Sequence, residues 1–170
     1  MKRLLVMRHA KSDWSRGGIT DHDRPLNHRG TAAARTMGRV LARLDVVPDH
    51  AITSTAVRAQ TTVRLAAEAG DWGTSIEATE QLYGTSVDGA LSVAAAAPST
   101  AETVMLVGHE PTWSGLVARL TGGSVQMKTA TVVGIDCYVY DWPEVLMTAG
   151  ELVFVLQPRM FAGEPQNDVR

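Results

Sequence analysis

Two histidines and two arginines of this 170-residue sequence each follow a short apolar run, and together they could handle a phosphoryl group. They are Arg8, His9, Arg58 and His109. A neutral imidazole is a good nucleophile towards phosphorus, and the phosphorylated ring can then release the group to water. Guanidinium groups bind phosphate oxygens through paired hydrogen bonds and neutralise charge in the transition state. Two guanidinium groups nearby should also lower the pKa of a histidine, which keeps the ring neutral near pH 7.

Other common catalytic sites are not indicated by the sequence. The histidines stand at positions 9, 22, 28, 50 and 109, without the close spacing typical of metal ligands, and Cys137 is the single cysteine. The sequence also lacks a Gly-rich loop followed by Lys-Ser/Thr, and it lacks a Gly-x-Ser-x-Gly motif. We therefore expect the site to use neither a metal ion nor another cofactor.

The apolar pattern predicts strands and helices that would bring these side chains to one edge of a sheet. Predicted strands cover 2–7, 50–53, 75–79, 103–107, 132–140 and 151–157. Predicted helices cover 28–44, 55–69, 86–97 and a segment that begins near 112 and ends near 122. The alternation favours an α/β fold with a mostly parallel sheet, which binds ligands at the carboxyl ends of its strands. The helix N-termini near 55 and 112 should direct backbone N–H groups at the same place.

Length and composition favour one folded domain over residues 1–161, with a loose polar tail at 162–170. Hydrophobic residues make up 45% of the chain, but no apolar stretch is long enough for a membrane span. A single cysteine fits a reducing compartment, so we expect a cytoplasmic protein.

Residues 1–64 hold 12 of the 16 Lys and Arg residues, which points to an anionic ligand. An aromatic content of 5% argues against nucleic acid as a partner. The oligomeric state stays open, with Trp142 and Phe161 as candidates for a surface patch.

Four segments resemble, in the same order, the motifs of the histidine phosphatase superfamily, the phosphoglycerate-mutase-like group. The segment at 8–12, Arg-His-Ala-Lys-Ser, is similar to the family's Arg-His-Gly/Ala signature. The other three are Pro-Leu-Asn-His-Arg-Gly at 25–30, Ser-Thr-Ala-Val-Arg-Ala-Gln-Thr at 54–61 and Val-Gly-His-Glu-Pro at 107–111. The short length and the Arg-His-Ala-Lys-Ser form are most similar to the small SixA-type phosphohistidine phosphatases.

The resemblance implies a fold and a role for each matching residue. The fold would be a three-layer α/β/α sandwich. His9 would accept the phosphoryl group, and Arg8, Arg58 and His109 would form the phosphate pocket. Lys11 and Ser12 complete the first motif and are further candidates for substrate binding. The loop at 13–24 should border the mouth of an open cleft.

One departure from the family pattern bears on the substrate. Larger members carry a glutamate after the third strand that protonates the leaving oxygen, and the matching position here is Gly84. Glu80 lies nearby but is displaced, and it is either a proton donor or a solvated loop acid. General acid catalysis is worth about 10²–10⁴ in rate, so alkyl phosphates with poor leaving groups would suffer most from its loss. The departure therefore favours phosphohistidine or another activated phosphoryl substrate.

Three functions follow from these expectations. The first is a phosphatase that hydrolyses a phosphorylated protein or a small phosphorylated metabolite through phospho-His9. The second is a small-molecule phosphomonoesterase, or a phosphoglycerate-mutase-like enzyme that would return the phosphoryl group to the same small molecule. The third is a non-catalytic phosphate-binding module.

Overall fold

The structure is a computed structural model, and it describes residues 1–15 and 17–161. The predicted tail at 162–170 lies outside the described residues. Within them, the strands are β1 (Lys2–Arg8), β2 (His50–Ser54), β3 (Ser75–Thr79), β4 (Thr103–Gly108), β5 (Val132–Cys137) and β6 (Gly150–Leu156). The helices are α1 (His28–Arg43), α2 (Val57–Gly70), α3 (Val87–Ala95) and α4 (Thr112–Thr121). Short 3₁₀ turns cover Glu80–Leu82, Trp142–Leu146 and Pro158–Phe161.

The strands of the described chain form one mixed sheet in the order β3-β2-β4-β1-β5-β6. The first four strands in this order are parallel to their neighbours, whereas β5 runs antiparallel to β1 and β6 runs antiparallel to β5. The predicted α/β fold with a mostly parallel sheet is confirmed. The order also places the carboxyl ends of β2, β4 and β1 side by side, which is the edge where the candidate residues follow their strands.

The sheet separates two apolar cores, which gives the α/β/α layering. Alternate side chains of β1 point to opposite faces, as a strand requires. Leu4 and Val6 join the core under α3 and α4, whereas Leu5 and Met7 join the core under α1 and α2. No helix in the described part of the chain is long and apolar enough to cross a lipid bilayer.

Close packing of α1 on α2 depends on a glycine. A Cβ at Gly38 would lie 2.0 Å from the carbonyl oxygen of Ala66, and real side chains do not come so close to a backbone. Helix α1 itself begins where the Asn27 side chain accepts the N–H of Gly30 at 2.9 Å. These two contacts fix where α1 begins and how closely it packs against α2.

Several sequence expectations differ from the structure at element ends. Strand β5 ends at Cys137 because the N–H of Val139 turns back to the Cys137 carbonyl at 2.8 Å. Helix α2 starts at Val57, since the Ser54 hydroxyl accepts the N–H of Ala56 and holds that residue in a turn.

The expectation that Trp142 lies on a surface patch is wrong. Its ring is fully buried, and its N–H donates to the Ala101 carbonyl at 2.9 Å.

Candidate active site

His9 lies directly after β1, in a conformation that exposes one ring nitrogen to the pocket. Nδ1 is 2.7 Å from the Ala10 carbonyl oxygen, which can only accept a hydrogen bond, so Nδ1 carries the proton. Nε2 is then unprotonated, and its lone pair accepts a hydrogen bond from Nε of Arg58 at 3.3 Å. The side chain is only 8% exposed. Nε2 is therefore the atom of His9 that can attack phosphorus.

The pKa of His9 is lowered to about 3. Burial is the largest cause, because the charged ring loses its hydration. The positive charges of His109, Arg58 and Arg8 lower the pKa further, while the hydrogen bond to Ala10 opposes these effects. The sequence predicted that nearby arginines would lower this pKa, and they do so by less than burial does. The ring is neutral, and so nucleophilic, throughout the physiological pH range.

His109 follows β4 and faces His9 across the pocket, with the ring centroids 5.1 Å apart. Its Nδ1 lies 3.3 Å from an amino group of Arg58, which can only donate, so Nδ1 is the acceptor. Its Nε2 then carries the proton and donates to the Ser54 hydroxyl at 2.9 Å. Burial, followed by the charge of Arg58, lowers the pKa of His109 to about 4. A bound phosphoryl dianion would raise this pKa and convert Nδ1 into a hydrogen-bond donor.

Arg58 lies in the first turn of α2 and contacts both histidines. It is 5% exposed, and its guanidinium donates to His9 and His109. The Thr62 hydroxyl donates to the Arg58 carbonyl at 2.6 Å and accepts the N–H of Ala10 at 2.9 Å. One turn of α2 is thereby tied to the segment after β1. This tie fixes the arginine relative to the His9 ring.

Arg8 approaches the same pocket from the end of β1. One amino group donates to the Met127 carbonyl at 2.7 Å, and its charge lowers the pKa values of both His9 and His109. Its Nε is buried and makes no hydrogen bond within the described part of the chain. A buried donor without a partner is costly, and an anion in the pocket could satisfy it.

The remaining predicted site residues are placed differently. Lys11 is exposed, and no contact joins its ammonium group to either histidine in the described chain. Ser12 is buried, but its hydroxyl accepts a short hydrogen bond from Arg24. Glu80 is exposed in the 3₁₀ turn after β3. The structure thus brings Arg8, His9, Arg58 and His109 together, and leaves Lys11 and Glu80 on the surface.

Two contacting residues at this site were not singled out from the sequence. Asp21 accepts hydrogen bonds from Arg58 at its backbone carbonyl, at 2.5 Å, and at its carboxylate, at 3.0 Å. The Tyr83 hydroxyl donates to the same carboxylate at 3.0 Å, and its ring packs edge-on against His109 at 5.7 Å. Asp21 belongs to the loop expected to border the cleft, but loop residues have no periodicity that tells which one turns inward.

Two of the backbone donors near the helix N-termini are already engaged within the protein. The N–H of Val57, at the start of α2, donates to the His22 carbonyl at 3.0 Å. At the start of α4, the Glu110 carboxylate accepts the N–H and the O–H of Ser114, at 2.9 Å and 2.7 Å. Loop groups already occupy these donors.

A cavity of about 240 Å³ opens beside His109. It lies between the turn after β3 and the start of α4. Its lining residues are Leu82, Gly84, Thr85, His109, Glu110, Pro111, Thr112 and Trp113. The space is large enough for a small side chain or metabolite fragment next to His109.

Comparisons with known proteins agree with this geometry. The family model of the histidine phosphatase superfamily (branch 1) matches residues 4–90. An uncharacterised protein of Mycobacterium tuberculosis is 39% identical over 119 residues, which cover 67% of this chain and 69% of the relative. An uncharacterised chloroplastic protein of Arabidopsis thaliana is 27% identical over 166 residues, which cover 88% of this chain and 72% of the relative.

Solved structures of similar fold include proteins assigned to the same superfamily. A protein of Agrobacterium tumefaciens assigned as the phosphohistidine phosphatase SixA superposes with a TM-score of 0.80 at 27% identity, over 92% of this chain and 98% of that one. A protein of Nakamurella multipartitia, also assigned as SixA, superposes with a TM-score of 0.79 at 28% identity, over 92% of this chain and 96% of that one. These likenesses support phosphatase activity. The chain belongs to the histidine phosphatase superfamily, branch 1.

Proposed function

We propose that this protein is a metal-independent phosphatase that forms a phosphohistidine intermediate on His9, and that its substrates carry the phosphoryl group on nitrogen, as phosphohistidine in a protein does. The observation that carries the proposal is the pair of neutral imidazoles 5.1 Å apart beside the Arg58 guanidinium. The likeness to SixA-type phosphatases supports the same substrate class.

In the first step, the Nε2 lone pair of His9 attacks phosphorus, and the bond between phosphorus and the leaving group breaks. Arg8 and Arg58 would stabilise the charge that spreads over the equatorial oxygens. The proton on Nδ1 of His9 stays on its ring, held by the Ala10 carbonyl at 2.7 Å. The phosphorylated ring is consequently cationic, which makes it a good leaving group in the next step.

In the second step, a water oxygen attacks phosphorus and the bond to Nε2 breaks. Both protons of the water leave with dihydrogen phosphate, and His9 returns to the neutral form with its proton on Nδ1. His109 lies on the opposite side of the pocket and would hydrogen-bond the transferring group once its pKa has risen. The cycle closes without an external base.

Proton balance favours nitrogen-linked substrates. A phosphohistidine protonated on its second ring nitrogen leaves as neutral imidazole, so the first step needs no added proton. An alkyl phosphate would leave as an alkoxide unless an acid protonates it. Gly84 occupies the position of the expected acid, and Glu80 is exposed. The Glu110 carboxylate is engaged by Ser114.

A comparison of the turnover of two substrates, one linked through nitrogen and one through oxygen, tests the proposal. We expect a phosphohistidine peptide to give a kcat/KM at least about 10²-fold above that of a simple sugar phosphate, the size of a missing general acid effect. His9→Asn should abolish turnover of both compounds. Equal or better hydrolysis of the sugar phosphate would instead favour a phosphomonoesterase, and transfer back to a small molecule would favour a mutase.

A further inference from the structure

Asp21 accepts hydrogen bonds from two of the five N–H groups of Arg58. A guanidinium has five N–H groups in a fixed plane. In Arg58, Nε donates to His9, one amino group donates to the Asp21 carbonyl, and the other donates to both the Asp21 carboxylate and His109. The described contacts leave one N–H group of Arg58 to meet a phosphoryl oxygen. Asp21 therefore limits how many anionic oxygens this arginine can bind.

The Asp21 carboxylate is held firmly at the solvent side of the pocket. The Arg58 side chain is 6% exposed, whereas the Asp21 side chain is 52% exposed. One carboxylate oxygen accepts from Arg24 at 2.5 Å, and the other accepts from Arg58 and Tyr83, each at 3.0 Å. The His22 carbonyl anchors the same turn to the N-terminus of α2. The carboxylate is thus fixed and half exposed beside Arg58, and it pairs with both guanidinium groups.

This charge lies close to the reacting groups. The amino nitrogen of Arg58 that contacts the Asp21 carboxylate at 3.0 Å also contacts Nδ1 of His109 at 3.3 Å. A carboxylate on the substrate, next to its phosphoryl group, would meet Asp21 as a like charge. It would also find Arg58 and Arg24 already engaged. An imidazole leaving group carries no negative charge and meets neither obstacle.

We propose that Asp21 is a specificity-determining residue: its carboxylate, fixed between Arg58 and Arg24 at the pocket entrance, favours phosphoryl donors with a neutral or cationic leaving group over donors that carry a second anionic group beside the phosphoryl group. This inference rests on the proposed phosphatase function. It names the class of substrate that the same site admits.

Competition measurements on the whole protein test this assignment. With a phosphohistidine peptide as substrate, inhibition constants are measured for inorganic phosphate and for 3-phosphoglycerate, which carries a carboxylate close to its phosphoryl group. Removing one unit charge at about 8 Å in an effective dielectric constant of about 30 changes affinity roughly tenfold. We expect Asp21→Asn to strengthen inhibition by 3-phosphoglycerate about tenfold relative to phosphate. The gain should shrink at high salt.

Two variants separate charge from shape. Asp21→Glu keeps the charge and should retain the wild-type ratio of the two inhibition constants. Asp23→Asn removes a charge from the same turn, where Asp23 bonds Thr20 and His22, and should also retain that ratio.

A purely structural role of Asp21 would weaken both inhibitors alike and leave the ratio unchanged, which would overturn the assignment. If the wild-type protein hydrolyses no phosphoryl donor, the proposed function fails and the assignment falls with it. An active wild type with an unchanged ratio in Asp21→Asn refutes the specificity role alone.

Discussion

Replacing His9 with asparagine should change how the stability of the protein depends on pH. The pKa of His9 in the native state is about 3, whereas a histidine in an unfolded chain has a pKa of about 6.5. Between these values the unfolded chain binds a proton at this ring and the native protein does not. The contribution of the neutral His9 ring to the free energy of unfolding is therefore fully present above about pH 6.5 and decreases as the pH is lowered. The asparagine side chain of His9→Asn would remain neutral at every pH, and its amide could still donate to the Ala10 carbonyl.

The size of the effect follows from the two pKa values. At pH 5, which is 1.5 units below the unfolded pKa of about 6.5, the His9 contribution to the free energy of unfolding has fallen by about 2 kcal/mol relative to pH 7. Any native pKa below about 4 gives nearly the same figure, so the prediction depends on the direction of the shift more than on its exact value. His109 titrates in the same window, but it is present in both proteins and cancels in the comparison.

Urea unfolding at pH 7 and pH 5 measures this difference. We expect the wild-type protein to lose about 2 kcal/mol more than His9→Asn between the two pH values. His28→Asn removes an exposed histidine from the first turn of α1 and serves as the matched control, which should keep the wild-type loss. An equal loss in wild type and His9→Asn would refute the conclusion that the native protein holds this ring neutral.

Two further substitutions test the charge and the packing of the site. Arg58→Met removes the guanidinium but keeps its bulk, and should lower kcat/KM by roughly 10²–10³. In the same variant, nuclear magnetic resonance titration should still find the pKa of His9 below its ordinary value, because burial is the larger cause. Gly38→Ala should destabilise the protein by about 2–4 kcal/mol in urea unfolding, since its Cβ would lie 2.0 Å from the Ala66 carbonyl oxygen. Gly73→Ala, where a Cβ meets nothing within 4 Å, is the control and should change stability little.

The sequence could place three of the candidate residues at one sheet edge because they follow parallel strands. The strand order β2-β4-β1 makes those ends neighbours, so residues as far apart in sequence as His9, Arg58 and His109 meet. Their identities and their position after apolar runs were sufficient for this inference. The α/β fold followed from the same alternation of strands and helices.

The electrostatics of the pocket could not be read from residue types alone. The low pKa of His9 arises mainly from burial, which depends on how the segment after β1 packs against α2. Asp21 engages Arg58 through a loop contact between residues 37 positions apart, and no periodic pattern marks such a contact. Lys11 belongs to the recognisable first motif, yet its side chain is exposed.

The atom of the enzyme that becomes phosphorylated is the decisive measurement for a phosphohistidine intermediate on His9. The protein is mixed briefly with phosphoramidate, quenched in base, and examined by mass spectrometry and phosphorus nuclear magnetic resonance. Because the Ala10 carbonyl holds the proton on Nδ1, we expect a base-stable, acid-labile phosphoryl group on Nε2 of His9, absent from His9→Asn. A phosphoryl group on Nδ1 of His9 or on any other residue would contradict this expectation.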